Sequence, residues 1–498
     1  MSAYIQKMLL NQDTLKFVFG MKLRGLRLDK GLSLKDLARK TGLSPSYINE
    51  IEKGKKYPKS EKIMVLAEAL NEKYDDLISL ELKRDLQLVQ NLLDKKFLTG
   101  IPFDLFGIPA ATVFELLSER PKKMRALVGT ILEIARAHNI QTDDFYHGLL
   151  RSYISMHENY FPSLEEAAKE VAQKMQLNWK DSPDDLKLKL IQNLKNFKIE
   201  VIEKNLEQIS PEFSELLHFI SLREKKLYIS AKLDLKEQLF ILARELGYQH
   251  LKLKERPQSS LVINLDSFTQ LFNHFSASYF AGSVLIPETE ITKDLKDLFK
   301  QKEWSETLFW QLLEKYPCSV ESFFHRLTQI LPKHFGLKHL FFLRYEYDFN
   351  HKKYEIAREL HLSGHHSPHR VVGNEHYCSR WLIHRLTQKQ IANSKQSSLG
   401  IQRSLYSGTE NEYLILGLSY KKPQLPRMTT SVCIGLVVDD KLKTQIPWSA
   451  SKNIPSLIVG ETCERCSFME CPDRQAPLDP QLDPEKYDRV LKALQEID

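Results

Sequence analysis

The stretch Ser33–Gly54, SLKDLARKTGLSPSYINEIEKG, decides how the N-terminal part of this chain folds. Ser33 stands before LKDLARK as a helix N-cap, since its hydroxyl can accept from an otherwise orphaned backbone N–H. Leu34, Leu37 and Ala38 fall at i, i+3 and i+4 and give that helix one apolar face. Thr41-Gly42-Leu43 ends it, because glycine takes the positive φ of the corner without steric cost. Ser44-Pro45 starts a second helix, with serine as cap and proline at the first position, where no N–H is missed. Along it Ile48 and Ile51 face inward, leaving Ser46, Tyr47, Asn49 and Lys53 outward. Two helices so joined have the layout in which the second offers its N-terminal polar residues to the DNA major groove.

Working outward, residues 15–31 predict an amphipathic helix, with Phe17, Phe19, Leu23, Leu26 and Leu28 set among Lys16, Lys22, Arg24, Arg27 and Lys30. Packed behind the two-helix motif, it would bring Arg24 and Arg27 near phosphates. Lys53, Lys55, Lys56 and Lys59 follow the second helix as further phosphate contacts. Such contacts give affinity and salt dependence, while Ser46, Tyr47 and Asn49 of the second helix would supply base readout and its cap Ser44 is a further DNA-binding candidate. Ser60–Asn71, SEKIMVLAEALN, predicts a helix capped by Ser60, with Ile63, Leu66, Ala67 and Leu70 inward. Residues 1–80 carry 15 Lys/Arg against 10 Asp/Glu, so about +5 of the chain's net +7 lies there. From GMKLRGL to MVLAEAL the segment resembles the repressor-like domain of the XRE family. The resemblance implies a five-helix, DNA-binding module.

The 498 residues suffice for three or four domains, each with its own core. The expected division is 1–80 for the DNA-binding domain, 81–178 for a helical linker, 179–317 for a peptidase-like α+β domain and 318–498 for a sensor domain. The fold class is therefore multidomain α+β. No early run reaches the 18 or more apolar residues of a spanning helix, and the first twenty lack a signal pattern. A cytoplasmic protein without membrane association is expected. Six cysteines in a long chain of this kind point to thiols or metal ligation rather than to a disulfide framework.

In the linker, LKRDLQLVQNLLDKKFL (82–98) and KKMRALVGTILEIARAH (122–138) carry long apolar stripes. They are candidates for a homodimer interface, since helix-turn-helix readers commonly bind two half-sites as a symmetric pair. Beyond residue 180 the pattern alternates: KNFKIEVIEK (195–204) and KKLYIS (225–230) read as strands around LHFISLRE. The helix LKEQLFILARELGYQHLKL (235–253) follows, and then NHFSASYFAGSVLIP (273–287). Strands leading into ARELGY and then FxxxYFAGxxLIP resemble the ImmA/IrrE-type zinc metallopeptidase domain. In active members the first helix carries HExxH, two histidines one turn apart around a general-base glutamate. Here Arg244 and Tyr248 occupy the histidine positions, Glu245 remains, and His274 aligns with the third ligand. A guanidinium cannot ligate zinc, which predicts a scaffold rather than an enzyme. Arg244 and Glu245 are expected to form a satisfied surface pair, and His250 to be a surface histidine.

The last third interleaves strand-like runs at 337–348, 413–422 and 431–440 with helices at SVESFFHRLTQIL and SRWLIHRLTQ, as an α+β sensor module would. HHSPH (365–369), with His361 and His376 nearby, reads as a solvated loop. Cys463-Glu-Arg-Cys466 followed by Cys471-Pro472 places three thiols in one loop, and Cys378 in EHYCSRWLIHR is the leading fourth ligand. Spacing leaves zinc and an iron–sulfur cluster open, since both accept four thiolates. Taken together, the XRE segment, the degenerate peptidase-like domain, SVESFFHRLTQI, the isolated Cys378 and the terminal CERCSFMECPDRQAPL resemble the short-chain fatty acyl regulators. That resemblance implies a transcription regulator that senses acyl-coenzyme A, with a GAF-like sensory region and, in at least part of the group, a 4Fe-4S cluster. Two alternatives are a metallopeptidase acting on a partner repressor and a redox or iron sensor without an acyl ligand.

Overall fold

The computed structural model describes residues 2–79, 103–108, 130, 133, 141–262, 265–362, 375–422, 427–479 and 486–497. The chain divides into two compact units, residues 1–149 with 265–268 and residues 150–264 with 269–498. The two apolar stripes of the linker fall almost entirely outside the described residues, as does HHSPH.

The N-terminal helices are α1 (Ser2–Asp29), α2 (Leu34–Thr41), α3 (Pro45–Glu52), α4 (Ser60–Ala69) and α5 (Tyr74–Ile78). Ser33 caps α2 by accepting from the Asp36 N–H, and the Asp36 carboxylate accepts from the Ser33 backbone in return. Gly42 ends it at φ 69°. Ser44 caps α3 through the Tyr47 N–H, with Pro45 in the first turn. The core joins Phe19, Leu23, Leu37, Ile48, Ile51, Ile63, Leu66 and Leu70. Gly20 is where α1 meets the end of α3, for a Cβ there would collide with the Ile51 carbonyl. Two local expectations change. Lys59, not Ser60, precedes α4 as its cap and makes no side-chain cap bond. Leu28 lies 52% exposed, although α1 stays helical through Asp29.

After α6 (Thr142–Met156), the second unit continues with α7 (Pro162–Lys174) and α8 (Pro183–Asn196). A three-stranded sheet follows, β1 (Glu200–Lys204), β2 (His218–Ser221) and β3 (Lys226–Ser230), in the order β1-β3-β2. The predicted strand from 195 starts only at Glu200, because Lys195 and Asn196 complete α8. Next come α9 (Leu235–His250), α10 (Phe268–Leu285), α11 (Glu288–Phe299), α12 (Glu306–Lys315) and α13 (Val320–Ile330). Helix α9 opens with a capping box between Asp234 and Glu237. Helix α10 begins five residues earlier than its apolar pattern suggested.

The C-terminal sheet has six strands, β4 (Leu340–Asp348), β5 (Lys353–His361), β6 (Ser397–Tyr406), β7 (Glu412–Lys421), β8 (Met428–Val437) and β9 (Ser456–Val459). Their order is β5-β4-β8-β7-β6-β9, antiparallel except for the β6–β9 pair. Because side chains alternate across a sheet, one face takes Leu414, Leu416, Ile434 and Leu436 and the other Tyr413, Ile415, Cys433 and Tyr345. Helix α14 (Leu382–Ala392) covers the second face with Trp381, Leu382 and Leu386. Helix α13 packs against β4 and β8. It also sends Arg326 to Glu165 of α7, at 2.6 Å and 2.9 Å, and to the Ile286 carbonyl at 3.0 Å. Arg326 is 1% exposed, and Tyr279 completes the cluster by donating to Glu165 at 2.7 Å. Burial pushes the Glu165 carboxyl up, but the charge and hydrogen bonds of Arg326 outweigh it and hold the group below the usual carboxylate range. Among the described residues no helix is long and apolar enough to cross a membrane.

Candidate DNA interface, peptidase-like cleft and thiolate loop

On α3, Ser46 is exposed and Asn49 and Lys53 are half-exposed, while Ile48 and Ile51 are sealed into the core. Ser44 is exposed as well, its hydroxyl turned to the Tyr47 N–H. Tyr47 does not stand alone, because the Lys62 ammonium of α4 sits 4.3 Å from its ring centre. That contact orients the phenol and sets a cation beside it. Lys55 and Lys59 are exposed, and Lys56 pairs with Glu50 at 2.8 Å. The hydrogen bond that Lys56 donates to the Glu50 carboxylate raises the Lys56 pKa.

Arg27 is not a phosphate contact. It is 7% exposed and grips Glu52 with two bonds, Nε–Oε1 at 2.6 Å and Nη2–Oε2 at 2.8 Å, while Nη1 donates to the Leu32 carbonyl. The i, i+3, i+4 pattern puts Arg27 on the packed side of α1, and Glu52 at the end of α3 makes burial there tolerable. Lys22 is likewise spent inside the domain, donating to the carbonyls of Asp76 and Ser79 and to the Ser79 hydroxyl. Arg24 is half-buried.

The peptidase-like cleft gathers Arg244, Glu245, Tyr248 and His274, the four positions named from the sequence, with His218 of β2 and Arg256. Glu245 is 2% exposed and accepts from both terminal nitrogens of Arg256 and from Gln249. The expected surface pair of Arg244 with Glu245 is therefore replaced by a buried pair of Glu245 with Arg256, eleven residues on. Arg244 instead hydrogen-bonds His218 Nε2 at 2.7 Å, and Tyr248 bonds His274 Nδ1 at 2.9 Å. Burial and the neighbouring Arg244 push His218 well below the usual histidine range. His250 is half-buried with its ring over Phe280. A zinc ion does not fit this arrangement, because two guanidiniums line the space and the single carboxylate is already held by one of them. The partners His218 and Arg256 carry no spacing signal relative to ARELGY; only the fold brings them in.

Cys378, Cys463 and Cys466 share one neighbourhood. The Gly460 N–H points at Cys378 Sγ at 3.4 Å, the Gln475 N–H at Cys463 Sγ at 3.3 Å, and a Cβ at Gly460 would lie 2.7 Å from Cys466 Sγ. An isolated bridge between Tyr377 and Thr462 ties the two segments. Arg474 gathers the loop by donating to the carbonyls of Cys463, Cys466 and Phe468. Burial pushes the Cys378 thiol up to about 11. Cys471 is half-exposed in the same loop, and among the described residues no three metal-ligating side chains yet converge. The donor chemistry, with amide N–H groups aimed at sulfur, suits a thiolate-held group. Cys318 and Cys433 are buried, each pushed to about 12 by desolvation. On the other face of the large sheet an apolar cavity of about 30 Å³ is lined by Leu298, Trp304, Phe309, Leu414, Ile434 and Trp448.

Residues 23–77 match the helix-turn-helix family model. Residues 194–328 match the IrrE N-terminal-like domain. The chain thus carries a helix-turn-helix domain of the XRE type and an IrrE-like domain, within a multidomain α+β architecture. Among solved structures, a Mycobacterium tuberculosis transcriptional regulator is similar over 66% of this chain and 92% of its own, at 16% identity and a TM-score of 0.45. None of the curated proteins matches the chain. The helix-turn-helix domain supports DNA-binding regulation, with DNA as partner. Its α3 carries the exposed Ser46 and the half-exposed Asn49, and the Lys62 that reading α3 alone misses comes from α4. The IrrE-like domain holds the Arg244–His218 and Glu245–Arg256 contacts in its cleft.

Proposed function

We propose that this chain is a cytoplasmic, homodimeric, sequence-specific transcription regulator whose C-terminal region reads a small effector. The observation that carries the reading is α3, with a sealed apolar side and an open polar side flanked by Lys53, Lys55, Lys59 and Lys62. Ser46, Tyr47 and Asn49 read base edges, and the lysines together with Ser44 hold phosphates. Asn49→Ala is expected to weaken binding to a duplex selected from a random pool by the wild-type protein by about 1–3 kcal/mol, roughly 5- to 150-fold. Lys55→Ala would instead weaken all duplexes alike and flatten the salt dependence. A gel-shift titration that leaves Asn49→Ala unchanged refutes the reading face.

For the input, the apolar cavity behind Trp304 and Trp448 favours a short aliphatic group, in keeping with an acyl-coenzyme A effector and a GAF-like sensory module. The thiols of Cys378, Cys463, Cys466 and Cys471 would hold a 4Fe-4S cluster, or zinc in its place, and such a group supplies a redox- or metal-sensitive crosslink between the 378 and 463–471 segments. In either case the ligand must bind one dimer arrangement better than the other, since equal affinity shifts nothing. Anaerobic purification followed by iron, sulfide and zinc analysis separates the choices. A brown protein whose colour is lost in Cys463→Ser and Cys378→Ser supports the cluster, and a colourless protein with stoichiometric zinc supports a structural metal. A protein with neither refutes both.

A redox or iron sensor without an acyl ligand is the reading favoured if the Cys378 site loads and the apolar cavity takes no ligand. Peptidase action on a partner repressor is opposed by Arg244 and Tyr248, because neither can supply the imidazole that zinc needs.

A further inference from the structure

The dismantled cleft of the IrrE-like domain has an unbalanced charge. Glu245 and Arg256 cancel, since the carboxylate accepts from both terminal guanidinium nitrogens. Tyr248 and His274 hydrogen-bond each other. Arg244 remains, and among the described residues its hydrogen bond goes to a histidine ring, not to a carboxylate. His218 Nε2 accepts that bond, so Nδ1 carries the ring proton, and Nδ1 is buried with no acceptor among the described residues. Arg256 Nε is a second such donor, on a side chain 8% exposed. Arg244, His218 and Arg256 all line the same space, about 10 Å³, which is room for about one water-sized occupant. A water would satisfy donors only in part and leave the guanidinium charge uncompensated in a poorly solvated site, which is costly.

We propose that this cleft is a small-anion site, taking one chloride-sized anion or one oxygen of a carboxylate beside the Arg244 and Arg256 guanidiniums that line it. The exchange of imidazole ligands for a guanidinium and a phenol has inverted the preference of the pocket from cation to anion.

The full-length protein tests this directly. Thermal unfolding is followed by tryptophan fluorescence at constant ionic strength in sodium chloride, bromide, formate or gluconate. An anion that binds only the folded state raises the midpoint with its concentration. Chloride, bromide or formate should do so, gluconate should not, and the difference should vanish in Arg244→Gln. Chloride alone, or formate alone, identifies which source supplies the occupant. Equal midpoints in all four salts overturn the proposal, as does a difference that persists in Arg244→Gln. Should that variant fail to fold, a bromide-soaked crystal of the wild-type chain decides: an anomalous peak in the cleft beside Arg244 and Arg256 is the expected result. An empty cleft there, or zinc that Glu245→Gln removes, overturns it.

Discussion

Glu52→Ala is expected to unfold the N-terminal helical domain while leaving the second unit folded. The substitution strands Arg27, whose side chain is only 9% exposed, without its bidentate partner. Breaking a buried pair by removing one member costs about 3–5 kcal/mol, because the remaining charge stays desolvated. Against a domain stability of about 5–15 kcal/mol, that removes from about a fifth to the whole of the margin holding the five helices together. All five tryptophans lie between Trp179 and Trp448, so their fluorescence follows the second unit, while hydrogen exchange over residues 20–77 follows the first. Fast exchange there with unchanged fluorescence, and loss of duplex binding, is the expected result. Replacing both partners by apolar residues, Arg27→Met with Glu52→Leu, should recover most of the stability, since no charge is then buried. Protection in Glu52→Ala equal to the wild type would show that Arg27 finds water instead.

The second large effect concerns Arg326→Met, which leaves Glu165 buried beside Tyr279. A comparable loss, about 3–5 kcal/mol near neutral pH, is expected in the second unit. Its pH dependence should invert. In the wild type the Glu165 carboxyl lies below its ordinary value, so its contribution is present above about pH 4.5 and lost as pH falls through the lowered value. In the variant burial, the largest influence on this carboxyl, is opposed only by the hydrogen bonds of Tyr279 and Ser283; its pKa then rises above the unfolded value, and stability falls as pH climbs past that point. Urea unfolding at several pH values reads the sign of the slope. A slope unchanged from the wild type would refute the role of this pair.

What could be read in advance follows from the range of the forces involved. Ser33, Gly42, Ser44 and Pro45 act within three residues of themselves, so α2, α3 and the turn between them were legible before any coordinates. Apolar spacing likewise located Ile48, Ile51, Ile63 and Leu66. It could not show that Arg27 would turn inward, because its partner stands 25 residues away and a cation at the edge of an amphipathic helix looks solvated. The cleft was legible in its first helix and illegible in its wall: Arg244 and Tyr248 announced the lost ligands, whereas His218 comes from a separate strand. The grouping of Cys378 with Cys463 and Cys466 depends on the bridge at Tyr377 and Thr462, which no local pattern encodes. The ion pair of Glu165 with Arg326 spans 161 positions and left no trace in either helix.

Helix α13 ends within two residues of the IrrE-like match yet forms one wall of the large sheet. The two segments therefore are not beads that can be traded separately between proteins. A graft joined just before Ser319 would bring a foreign residue opposite Glu165 and leave Phe323, Phe324 and Leu327 without the surfaces they were shaped against. Inheritance should keep the residues of α7, α13 and the large sheet together as one block.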